Sequence, residues 1–114
     1  MLNQRLAAAK QVAAELIPAE TDLDNAILHA SRLAIAVIEG RRSAKLPIST
    51  GQAGLMHITR ATLKLAEARF EMGAAHIALR ETQDEVGLRS VAFGDLWECP
   101  DKKAELVPLA ANAA

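Results

Sequence analysis

The chain has 114 residues, 13 of them basic and 14 acidic, with a formal net charge of −1 and 51% apolar residues. That balance excludes wholesale intrinsic disorder and leaves none of the global positive field of a dedicated nucleic-acid binder. The length suits one domain, and the longest uninterrupted apolar run, Leu33 to Ile38, falls far short of the ~20 residues a membrane span needs.

Alanine and leucine dominate, tyrosine is absent and aromatics make up 3%, the composition of a helical protein with small core side chains. Such a core buries little area per residue, so helices must approach closely or a second chain must supply missing surface. The lone Cys99 allows no intrachain disulfide, and Met1 to Arg5 lack the apolar stretch of a secretory signal, so a cytoplasmic location is expected.

In the first segment Leu2, Leu6, Ala9, Ala13 and Leu16 are spaced by alternating fours and threes, which predicts an amphipathic helix over about 2–17, ended by Pro18. Thr21 reads as the N-cap of a second helix over about 22–39, with Asp22 and Asp24 favoured in its first turn by the helix dipole. Its stripe is Leu23, Ile27, Ala30, Ala34 and Val37, but Leu28, Leu33, Ile35 and Ile38 lie off it, which predicts burial from several sides. Gly40 suits the left-handed residue that closes a helix, followed by the basic loop Arg41, Arg42 and Lys45.

Ser49 and Gln52 match a capping box that opens a third, long helix over about 50–86. Two neighbouring stripes run along it. One holds Leu55, Ile58, Thr62, Leu65, Arg69, Met72, His76, Leu79, Gln83 and Val86, and the other Met56, Thr59, Leu63, Ala66, Phe70, Gly73 and Ile77, which predicts two packing neighbours. Two shorter helices cover only half of it, so it must kink near Met72 and Gly73 or be covered by another subunit. After Gly87 the helical pattern fails, and residues 88–97 read as a short segment packed on the bundle, with Phe93 and Trp97 as candidate partner contacts.

The elements together predict an all-α fold, a three-helix up-down bundle with a long third helix, completed by homodimerisation and followed by a short non-helical C-terminal segment. Residues 1–97 form a single domain in this reading and 98–114 a mobile tail.

Candidate chemistry is sparse. No histidine has the i, i+3 or i, i+4 companion of a helical metal site, because Ala26, Gly54 and Gly73 stand three residues before His29, His57 and His76. His29-Ala30-Ser31-Arg32 resembles the H-x-x-K core of histidine phosphotransfer domains, which implies a phosphorylatable His29. The resemblance spans four residues, Leu33 stands where that family keeps glycine, and three helices are expected rather than its four, so no role is carried over. Cys99, between Glu98 and Pro100, has an acidic setting that disfavours a reactive thiolate.

The most specific pattern is Thr62, Arg69, His76 and Gln83, which recur every seven residues as a polar line inside an apolar stripe. Three readings stand: a solvated flank, a register device at a helix interface, or an anion pocket in which Arg69 and His76 donate to phosphate or carboxylate. Arg41, Arg42 and Lys45 would contact phosphates if the protein met nucleic acid, which the net charge and the lack of stacking aromatics argue against. The sequence therefore points to a small non-enzymatic helical protein, without cofactor or metal and not membrane-bound, acting as a self-associating structural or protein-interaction module. The alternatives are a small-molecule or anion binder using Arg69 and His76 and, behind it, a nucleic-acid-associated regulator.

Overall fold

The computed structural model describes residues 1–88. They form two α-helices, α1 (Leu2–Ser43) and α2 (Gln52–Glu85), joined by a short loop, with no strand among the described residues. The predicted three-helix bundle is therefore corrected to two helices. The first and second predicted helices are one, because Pro18 lies inside α1.

Proline in a helix interior removes one backbone donor and presses its ring on the carbonyl four residues earlier, here Ala14, at about 3 kcal/mol. What offsets this is visible in the burial pattern. From Leu6 to Arg41 a line of half-buried residues recurs at alternating steps of three and four, passing through Ala13, Leu16, Glu20, Leu23 and Ile27 without a change of phase. A seam of that period is the coiled-coil heptad, with Leu6, Ala13 and Glu20 at a positions and Ala9, Leu16 and Leu23 at d positions. Packing on both sides of Pro18 holds the helix together.

The matching seam of α2 is the first predicted stripe. Leu55, Ile58, Thr62 and Leu65 are half-buried on it, and His76 is buried. Helix α2 continues through Gly73 without the predicted break.

Among the described residues, contacts form two compact units, one of Met1–Thr21 with 69–88 and one of Asp22–Ala68. In the first, Arg5 meets Val86 and Glu20 meets His76, so the two helix segments run antiparallel. The second contains the loop and the helix ends that flank it.

Both helix ends share one cap. At the end of α1, Leu46 N–H donates to the Arg41 carbonyl and Lys45 N–H to the Arg42 carbonyl, both at 3.1 Å, with Lys45 at φ 57°. At the end of α2, Leu88 N–H donates to the Gln83 carbonyl at 3.0 Å and Gly87 N–H to the Asp84 carbonyl at 3.1 Å, with Gly87 at φ 85°. This is the Schellman arrangement, which satisfies otherwise orphaned helix carbonyls. Gly40, expected to close α1, lies instead within its last turn. The predicted capping box is displaced too. Helix α2 starts at Gln52, and Gly51, at φ 77°, is its N-cap, its carbonyl accepting from Leu55 N–H at 2.9 Å.

Only Ile77, Leu88 and His76 are buried among the described residues. The expectation that Leu33 to Ile38 is buried from several sides is not met within one chain: α1 has one neighbouring helix there, and Leu33, Ile35 and Ile38 stay exposed. The packed segment expected at 88–97 lies outside the described residues beyond Leu88, as does the tail at 98–114.

Candidate functional site

The heptad polar line of α2 resolves residue by residue. Thr62 is half-buried and its Oγ1 donates to the Ile58 carbonyl of its own helix at 2.9 Å. Arg69 is exposed. His76 is 3% exposed, with its Nδ1 3.1 Å from Glu20 Oε2 on α1. The carboxylate can only accept, so the ring donates from Nδ1, a bond assisted by the charge of its acceptor. Gln83 Nε2 donates to the Leu88 carbonyl at 2.6 Å and so reinforces the cap of α2.

Two members of the line share a groove. In the first unit, His76 and Gln83 line a cavity of about 260 Å³, walled by apolar residues that include Val12, Leu16, Leu79 and Val86. Arg5 and Arg80 also line it, and no carboxylate does among the described residues. Arg5 Nη1 donates to the Val86 carbonyl at 3.4 Å, which bridges α1 to the end of α2. Thr62 and Arg69 do not line this groove. The structure thus brings His76 and Gln83 together with Arg5, a residue the sequence did not single out.

Glu20 is the other residue that sequence reasoning missed. It stands four residues after Leu16 and three before Leu23, which places it on the seam once α1 is read through Pro18.

Of the basic loop, Arg41 and Arg42 belong to the last turn of α1, where cations complement the helix dipole. Arg41 is half-buried, and its Nη1 donates to the Leu46 carbonyl at 3.2 Å, the same cap reinforcement that Gln83 gives α2. Lys45 is the left-handed residue of that cap, exposed like Arg42. His29 and His57 are exposed. The partner contacts Phe93 and Trp97 lie outside the described residues. Among the described residues no group of three histidine, cysteine or acidic side chains is placed to hold a metal ion, and no helix is long and apolar enough to cross a membrane.

Compared with known proteins, the chain matches no protein family, no characterised protein and no solved structure.

Proposed function

We propose that the protein is a non-enzymatic, self-associating helical interaction module of the cytoplasm that works through its helix surfaces. The observation that carries this reading is the contrast, among the described residues, between three buried ones and a long set of exposed large apolar ones, among them Leu28, Leu33, Ile35, Ile38, Met56 and Leu63. Two helices share one seam, and a single seam leaves the off-seam apolar residues in water. Exposed apolar surface on this scale is characteristic of interaction sites. The lone Cys99 fits a reducing compartment.

The test is sedimentation velocity of the full chain over a hundredfold concentration range, with thermal unfolding at both ends of it. Self-association predicts a rise in mass and a midpoint that climbs with concentration. A monomer with a concentration-independent midpoint overturns the reading.

A second reading rests on the groove beside Arg5, His76 and Gln83, whose apolar walls and cationic lining suit a small anionic amphiphile. Binding of anilinonaphthalene sulfonate that Val12→Glu abolishes while the fold persists would favour it. Binding that ignores this substitution would remove it.

A further inference from the structure

The unit Asp22–Ala68 has two unlike faces. Antiparallel helices that share a heptad seam present like flanks on the same side, e beside e and g beside g. The cavity next to the loop agrees, since Ile38 and Gln52, both at e positions, line it together with Ile48. On the side made by b and e positions, α1 contributes Asp24, Leu28, Ser31, Ile35, Ile38 and Arg42, and α2 contributes Gln52, Met56, Thr59, Leu63 and Ala66. The two ionisable residues, Asp24 and Arg42, stand at opposite ends of the α1 run, and none lies between them. On the opposite side, made by c and g positions, Leu33 is the one large apolar residue, accompanied by Asp22, His29, His57 and Lys64.

We infer that the b and e face of this unit is the site of self-association, and that its occupant is the same face of a second copy. This deepens the proposed function and rests on it. Leu28, Ile35, Ile38, Met56 and Leu63 are each between 42% and 60% exposed. At roughly 100 Å² apiece they offer about 500 Å² per copy and about 1,000 Å² for a pair, the threshold of a specific interface before the rim and Ile48 are counted. Its apolar middle carries no charge, and Asp24 and Arg42 at its two ends are of opposite sign, so the face as a whole does not select a partner of one charge. Large and small residues alternate along α2, Met56 with Thr59 and Leu63 with Ala66, and on α1 Ser31 separates Leu28 from the adjacent Ile35 and Ile38. A copy related by a two-fold axis seats its large side chains over the small ones, and the pair of hairpin units closes into four packed helices.

Sedimentation equilibrium of the full chain tests the assignment. Ile35→Glu combined with Leu63→Glu is expected to raise the dimer dissociation constant at least ~100-fold with helical content preserved, because the substitution would bury unpaired charge. Leu33→Glu, on the other face, is expected to leave the constant within about threefold. A dimer that survives the double substitution overturns the face but not self-association, whereas a wild-type chain that is monomeric at every concentration overturns both. Should the glutamate variants lose helicity, cysteine accessibility decides. Leu33 and Ile35 are equally exposed in one chain, at 52% and 53%. In a Cys99→Ser background, Ile35→Cys is expected to react with a maleimide at least ~10-fold more slowly than Leu33→Cys at high protein concentration. Equal rates overturn the proposal.

Discussion

Lys45 holds at the end of α1 the left-handed position that Gly87 holds at the end of α2. A side chain in that conformation costs about 1–2 kcal/mol, because the β-carbon crowds the following carbonyl, and glycine escapes the clash. Lys45→Gly is therefore expected to stabilise the protein by up to ~1 kcal/mol once the extra freedom of an unfolded glycine is subtracted. Urea unfolding at fixed protein concentration checks it, and an unchanged or lower midpoint counts against the cap.

Glycines divide by conformation. Gly51 has a positive φ, and a β-carbon there would sit 3.5 Å from Val37 Cγ1, an ordinary contact, so the strain of Gly51→Ala is in the backbone. A loss of about 1–2 kcal/mol is expected. Gly40, inside α1 with no atom within 4 Å of a built β-carbon, should behave in the opposite way. Gly40→Ala is expected to gain about 0.5–1 kcal/mol. Matching signs for the two substitutions would contradict the structure.

Pro18→Ala restores the missing donor to the Ala14 carbonyl inside α1. A gain approaching ~3 kcal/mol is expected, together with a small rise in helical circular dichroism. A loss of stability would show that the proline ends the helix after all.

The Glu20 and His76 pair lends itself to a double-mutant cycle. Removing one partner, as in Glu20→Ala, leaves the buried ring without its acceptor and is expected to cost about 1–3 kcal/mol. His76→Leu with Glu20→Leu is expected to cost less than the sum of the two single changes, and an apolar pair at these seam positions can match the wild type. Additive losses would show that the two side chains do not interact.

The helical character and the seam of α2 were legible in the sequence because they rest on local periodicity. The polar line at Thr62, Arg69, His76 and Gln83 was visible for the same reason, while its division into a self-bonded threonine, an exposed arginine, an interhelical pair and a helix cap needs the structure, and the pair in particular depends on what α1 places opposite. The join through Pro18 is not legible from local propensity, which ends a helix at proline, because it depends on packing along the seam. The corrective signal was present, since Leu16 and Leu23 are seven residues apart and keep the seam in phase. Ser49 and Gln52 formed a sound capping motif, but Gly51 at positive φ placed the true helix start later. Arg5 and Glu20 could not be read as neighbours of α2 before the antiparallel pairing was known.

The contacts between the helices also differ in how much chain they enclose. Val37 and Gly51 line one cavity beside the turn, Glu20 and His76 are 56 residues apart in sequence, and Arg5 and Val86 are 81 apart. Loop-closure entropy grows with the length enclosed, so the earliest pairing in folding forms beside the turn and spreads outward from it. Opening follows burial instead: His76 and Ile77 are buried in the first unit while the turn over residues 42–54 is exposed, so amides of the turn are expected to exchange their hydrogens before those beside His76.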